Sequence, residues 1–340
     1  MHGSRAKGRL RLQKRKDESK VAVYGKTALI GTGLVGPQIG VVLAQGSTEV
    51  SVFDMNAEAV DRALSDMRGY VDELSRHEML MGGDADEVYG RVGAADSLES
   101  AVAGADIVVE AIFENVEAKR VLFKELGEVA DPATPLASNT SSIPIRHMAE
   151  VCRNPERVVG SHFILPAHIL PLVEVIKHPK VDEAVIESVR AGWEEMGKRP
   201  IVVNVDIPGF VANRLQHSLT RQAIELLATG IASAEDIDNA VRFGFGTRFV
   251  SVGPLGGRDL GGIINHSKVA AYLYKDLDGK GDLGAETLAD MARQGHDGVK
   301  TLKGFHDWEG DPAELRDFHY EQMIVQTKRA LEIGSVRVKM

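Results

Sequence analysis

Cysteine is almost missing from this sequence, with Cys152 alone in 340 residues. One thiol builds neither an intrachain disulfide framework nor a thiolate zinc site, and a reducing compartment such as the cytoplasm is its natural home. Long hydrophobic runs are lacking too: no window approaches the ~18 uninterrupted apolar residues of a membrane span, and the N-terminus has no apolar signal-peptide stretch. Positive charge is in deficit, 40 Lys plus Arg against 49 acids, and a formal charge of -9 argues against a surface made for nucleic acid. There is no His-Glu-x-x-His pair for a metal and no Gly-x-Ser-x-Gly elbow for a nucleophile, so neither metal nor covalent chemistry is implied. What is present is 44% hydrophobic and 26% charged residues, the balance of a chain that folds around real cores in about two domains.

The first 26 residues stand apart, with nine Lys or Arg against Asp17 and Glu18, so the remainder carries -9 minus +7, or -16. They read as a solvated basic extension. From Thr27 to about Val205, short apolar runs alternate with amphipathic stretches. The runs are 27–31, 49–54, 106–112, 135–138, 157–162, 172–176 and 200–205; helical spacing marks 35–44, 57–74, 116–129 and 182–196. Several runs are apolar on both faces, as buried parallel strands must be. The pattern predicts a Rossmann-type, doubly wound α/β domain over 27–205. Beyond Asp206 the strand pattern stops. Helical spacing over 210–228, 233–241, 263–276, 285–292 and 312–333 predicts a smaller all-helical domain over 206–340.

The segment Gly31-Thr32-Gly33-Leu34-Val35-Gly36 lies between an apolar strand and an amphipathic helix, the context of a dinucleotide-binding turn. Gly31 permits the tight turn, Gly33 lets backbone approach a pyrophosphate, and Gly36 lets helix and strand pack. Leu34 and Val35 complete the turn, and the helix N-terminus offers free N–H groups to phosphate. The second strand ends in Asp54, 21 residues beyond Gly33, where a carboxylate can accept from a ribose diol and would repel a 2′-phosphate. NAD is therefore expected over NADP. The competing reading is a glycine-rich turn with Asp54 as an ordinary strand-end acid.

Four further segments follow in order: Val108-Val109-Glu110-Ala111-Ile112-Phe113-Glu114-Asn115; Ser138-Asn139-Thr140-Ser141-Ser142; His162-Phe163 with Leu172-Val173-Glu174-Val175; and Asp206-Ile207-Pro208-Gly209-Phe210-Val211-Ala212-Asn213-Arg214. With the glycine loop they closely resemble the L-3-hydroxyacyl-CoA dehydrogenase family, over residues 27 to 260. The resemblance implies an NAD-binding domain joined to a helical domain that makes most of a homodimer interface. It implies Glu114 and Lys119 at the nicotinamide half of NAD, His162 as catalytic base, Glu174 as its partner, and Ser141 and Asn213 beside the reacting oxygen. The chemistry is coherent: taking hydride from a secondary alcohol requires a base for the hydroxyl proton, which imidazole supplies near neutral pH, and amide and hydroxyl donors stabilise the nascent carbonyl. Each residue also has a structural reading. Ser141 suits a turn, Asn213 a helix cap, and a strand-end His is often simply hydrogen-bonded.

The sequence departs from the acyl-CoA pattern in three places. Where the family continues His-Phe-Phe-Asn-Pro, this chain reads His162-Phe163-Ile164-Leu165-Pro166, and Leu165 offers nicotinamide no polar contact. The stretch 55–105, Lys-rich in the acyl-CoA enzymes, has no Lys, four Arg and eleven acids, a poor surface for a polyphosphate. Gly244-Phe245-Gly246-Thr247-Arg248-Phe249 and Ile169-Leu170-Pro171-Leu172 are more similar to the branch that oxidises small hydroxy acids such as L-gulonate and L-carnitine. Arg248 could clamp a substrate carboxylate, or face solvent as a helix-end cation. These features predict NAD-linked oxidation of a small 3-hydroxy acid or similar carboxylated alcohol. The alternatives are a true acyl-CoA dehydrogenase and, in another class, a non-catalytic NAD-binding protein of the lens-crystallin kind. Asp276-Leu277-Asp278-Gly279-Lys280 opens like a calcium loop, but Lys280 at position five and Thr287 at twelve make it a turn.

Overall fold

The computed structural model describes residues 23–261, 263–277, 290–291 and 293–333. Among these, eight strands form one sheet in the order β3-β2-β1-β4-β5-β6-β7-β8. In chain order, β1 is Tyr24–Ile30, β2 Ser47–Phe53, β3 Val92–Ala94, β4 Ile107–Glu110, β5 Leu136–Ser138, β6 Val158–Phe163, β7 Leu172–Ile176 and β8 Arg199–Val203. Every pairing is parallel except β6 with β7, which run antiparallel with His162 opposite Glu174. The flanking helices are α1 (Gly36–Gly46), α2 (Ala57–Arg76), α3 (Ala85–Tyr89), α4 (Leu98–Val102), α5 (Val116–Val129), α6 (Arg146–Ala149) and α7 (Glu183–Glu195).

The strands alternate in the face they present, and this builds two cores. Leu29, Ile107 and Val109 pack with α1, α2 and α7, whereas Ala28, Ile30 and Val108 pack with Phe123 and Leu126 of α5. Burial on both faces is why these strands read as continuous apolar runs. The basic extension read over 1–26 is shorter at its C-terminal end: residues 24–26 belong to β1, where the Gly25 N–H donates to Asp106 and the Lys26 ammonium lies 3.6 Å from Glu49. The rest of it, 1–22, lies outside the described residues.

After β8 the chain is helical: α8 (Ala212–Ala228), α9 (Ala234–Ala240), a π-helical segment Val241–Phe245, α10 (Gly246–Gly261), α11 (Ile263–Leu277) and α12 (Pro312–Ile333). The element expected at 285–292 lies outside the described residues except for 290 and 291, and so does most of the turn beginning at Asp276. Among the described residues no helix is long and apolar enough to cross a membrane.

Candidate active site

The turn after β1 is shaped by Gly31, whose φ of +101° favours glycine. A Cβ there would sit 2.6 Å from the backbone of Ala111 and Ile112, so the residue also lets β4 approach. Gly33 differs: a Cβ on it would meet open space within 4 Å, which leaves its backbone accessible to a ligand. Gly36 packs against the Gly31 carbonyl, closing the turn that Leu34 and Val35 span; Leu34 is exposed and Val35 half-buried. Asp54, at the end of β2, accepts from the Thr32 N–H at 2.9 Å and the Thr32 hydroxyl at 3.0 Å, and its other oxygen accepts from the Asn56 N–H. A cleft of about 820 Å³ opens beside these groups, lined by Gly31, Gly33, Asp54, Phe113 and Val121, among others. Its charged lining is acidic: Asp54, Asp96, Glu99, Glu117 and Glu125. A glycine turn open at Gly33, a helix N-terminus and a strand-end carboxylate beside a cleft fit the adenosine and phosphates of NAD. Anionic walls disfavour a further phosphate.

The second part of the site is built where β4, β5 and β6 end. Glu110, fully buried, accepts from the Lys119 ammonium at 2.6 Å, the Ile112 N–H at 2.8 Å and the Ser138 hydroxyl at 2.6 Å. Lys119 is itself buried and lies 3.6 Å from Glu114. Its contacts are thus with protein groups, and it braces Glu114 from below. Glu114 in turn collects the 140–142 turn on one oxygen, accepting from the hydroxyls of Thr140 (2.7 Å), Ser141 (3.2 Å) and Ser142 (2.9 Å) and from two backbone N–H groups. Burial would raise the Glu114 pKa, but the Thr140 hydroxyl, the Lys119 charge and Ser142 outweigh it and hold the carboxyl below its usual range.

The antiparallel register of β6 and β7 brings His162 to Glu174, with Nδ1 2.7 Å from Oε2. Glu174 is fully buried and His162 nearly so. Burial would raise the Glu174 pKa; the bond to His162 and the N–H groups of Ala212 and Val211, each 2.9 Å from Oε1, reverse this and lower it. An ionised Glu174 only accepts, so Nδ1 carries a proton, and in the neutral ring it is Nε2 that presents the lone pair. The Phe210 ring packs against the imidazole with centroids 5.7 Å apart.

Asn213 does not cap α8. The Glu174 carboxylate takes the first N–H groups of that helix, and the Asn213 amide donates to the Ser141 carbonyl at 3.1 Å, drawing the 141 turn toward α8. The Ser141 hydroxyl points to Glu114. Arg248, in the first turn of α10, is exposed and makes no ion pair among the described residues; Leu165 is 44% exposed. Arg68 is held by Asp72 and Asp86, Arg91 by the carbonyls of Ala44 and Gly82, and Arg62 lies 3.8 Å from Glu58, so three of the four arginines in 55–105 are already engaged.

Sequence reasoning passed over Glu110, Gln38 and Asp206. A carboxylate inside the apolar run Val108-Val109-Glu110-Ala111 demands a buried partner, and Lys119 nine residues later was the available signal. Asp206 accepts from the N–H groups of Ile145 and Arg146, fixing the strand-to-helix linker against α6.

A dinucleotide turn, a strand-end carboxylate and a buried His–Glu pair accord with the class to which the chain's homologues belong, NAD-dependent dehydrogenases acting on hydroxyl groups. Models of the 3-hydroxyacyl-CoA dehydrogenase NAD-binding domain and C-terminal domain match residues 26–207 and 209–308. The chain belongs to the 3-hydroxyacyl-CoA dehydrogenase family. It is 30% identical over 308 residues to 5-formyl-3-hydroxy-2-methylpyridine 4-carboxylate 5-dehydrogenase of Mesorhizobium japonicum, covering 90% of this chain and 97% of that one. It is 34% identical over 279 residues to a probable 3-hydroxybutyryl-CoA dehydrogenase of Bacillus subtilis, covering 82% and 96%. A solved structure of a 5-formyl-3-hydroxy-2-methylpyridine 4-carboxylic acid 5-dehydrogenase, described as an NAD+ dependent dismutase, superposes with a TM-score of 0.83 at 30% identity, covering 91% and 99%.

Proposed function

We propose that this chain oxidises the hydroxyl of a small 3-hydroxy acid or similar carboxylated alcohol. The observation that carries the reading is the buried pair of His162 and Glu174 at 2.7 Å. His162 Nε2 takes the hydroxyl proton, and the ionised Glu174 holds the ring and favours the imidazolium that forms. NAD, when bound, accepts the hydride. Asn213, with an amide N–H to spare, and Ser141, by rotation of its hydroxyl away from Glu114, hydrogen-bond the reacting oxygen as it becomes a carbonyl. Glu114, braced by Lys119, borders the nicotinamide half of the cofactor, and Gly31 to Gly36 with Asp54 hold the adenosine half. Arg248 binds the substrate carboxylate when the helical domain closes over the sheet.

The absence of Lys and the eleven acids in 55–105 favour a substrate without a phosphorylated adenosine. The name of the Mesorhizobium relative points the same way, to a formyl group on a pyridine carboxylate. A hydrated aldehyde offers the same base an O–H proton and the same C–H hydride as a secondary alcohol, and leaves as a carboxylic acid. The second reading, oxidation of CoA thioesters, is favoured by the 34% identity to the Bacillus relative. The exposed apolar face of the helical domain supports a homodimer through it, and the single cysteine supports a cytoplasmic setting. The test is NADH absorbance with NAD and a panel of small hydroxy acids and aldehyde acids, and separately NADH with acetoacetyl-CoA. Turnover of a small acid without thioester reduction is expected; efficient reduction of acetoacetyl-CoA alone would overturn the reading in favour of the second.

A further inference from the structure

Gln38 stands in the first turn of α1, directly after the glycine loop, and is 2% exposed. A buried amide needs partners at both ends. Its Nε2 donates to the Leu34 carbonyl at 3.3 Å, and its Oε1 accepts the Ala167 N–H at 2.6 Å. The reverse orientation would set two donors against each other, so the Ala167 N–H fixes the amide. Leu34 belongs to the dinucleotide turn. Ala167 belongs to the connection 164–171 that joins β6 to β7, between His162 and Glu174 in the chain. One side chain therefore ties the turn that faces the cofactor phosphates to the hairpin that carries the His–Glu pair. Other holds on this connection come from elsewhere, among them two made by side chains: Lys198, just before β8, donates to the carbonyls of Ala167 (2.6 Å) and Leu170 (3.1 Å), and Glu73 of α2 lies 2.9 Å from His168 Nε2. Of these three side-chain holds, Gln38 alone sits on the dinucleotide turn.

We propose that Gln38 is a positioning residue that couples occupancy of the glycine loop to the geometry of the His162–Glu174 hairpin. Phosphate at the N-terminus of α1 steadies Leu34 and the first helical turn. The Gln38 amide then loses freedom, and opening of the Ala167 N–H becomes more costly. The catalytic consequence rests on the proton-transfer reading of His162; the coupling itself does not require turnover.

Hydrogen exchange on the full chain, read by mass spectrometry on a peptide covering 164–171, tests this with NADH as probe, its binding followed by fluorescence. Saturating NADH slows exchange at Ala167 in the wild type by about tenfold or more. Gln38→Met has similar length without the amide; it binds NADH within about threefold of the wild-type Kd, and the slowing falls below about twofold. Gln38→Glu keeps an acceptor for Ala167 but has no donor for the Leu34 carbonyl; with NADH bound its slowing also falls below about twofold, although Ala167 without NADH stays as protected as in the wild type, a split that a packing defect would not show. Should Gln38→Met fail to fold, Gln38→Ser, too short to reach Ala167, carries the same expectation. The proposal is overturned if NADH leaves the wild-type segment unchanged, or if the Met or Ser variant with NADH bound is slowed as much as the wild type. Failure of the proton-transfer reading would show separately, as normal turnover without His162.

Discussion

Lys198 is buried with its ammonium on two backbone carbonyls, Ala167 and Leu170. Burial pushes its pKa down to about 7. In the unfolded chain the same group titrates near ~10.4. Between those values the unfolded state holds a proton that the folded state has released, so stability rises with pH across the window, and the cost of burying the charge is fully present below it. Chemical denaturation of wild type and Lys198→Met from pH 7 to 10 should show the wild type gaining on the variant, by up to about 1.4 kcal/mol per pH unit; parallel profiles would contradict the assignment. Legibility at this scale depended on whether a residue belongs to a motif. His162 and Glu174 were legible through the family resemblance, with which a carboxylate in one apolar strand and an imidazole at the end of the preceding one agree. Gln38 and Lys198 were not. Their roles follow from which distant carbonyl or N–H the fold brings to them, and neither sits in a pattern that names it.

Elements that are buried on both faces or keep an unbroken period were legible, and short exposed ones were not. The seven apolar runs from 27 to 205 each overlap a strand, since two-sided burial writes itself as continuous Val, Ile and Leu. β3 is three residues and largely exposed, unlike the equally short but fully buried β5, and α3 and α4 have five residues each, too few for periodicity to register. Their capping boxes, Asp84 with Glu87 and Ser97 with Ser100, were the available signal. Strand direction was also hidden: the connection 164–171 is too short for a helical crossover, and so β7 returns antiparallel. That reversal is what sets His162 opposite Glu174. In the helical domain, the element Gly246–Gly261 escaped detection because Gly253, with φ +69°, and Pro254 interrupt its pattern.

At the scale of the whole molecule, two features remain. Among the described residues the helical domain has little core of its own: α8 buries only Ile224, while Leu215, Phe243, Leu255 and Tyr272 are 60%, 77%, 81% and 86% exposed. A face of this kind belongs against another surface. Sedimentation equilibrium should therefore give twice the chain mass, and Phe243→Glu with Leu255→Glu should shift it toward the monomer; a monomeric wild type at micromolar concentration would refute the dimer. The site, in turn, is assembled between the sheet and the helices, since Glu174 holds both His162 of β6 and the N-terminus of α8, and Asn213 reaches back to Ser141. In the proposed mechanism His162 takes the proton in NAD-linked oxidation. The most direct measurement compares wild type with His162→Gln for NADH affinity and for turnover of the substrate found in the panel. The account predicts unchanged NADH binding with kcat lowered by about 10² to 10⁴; equal turnover by the variant would contradict it.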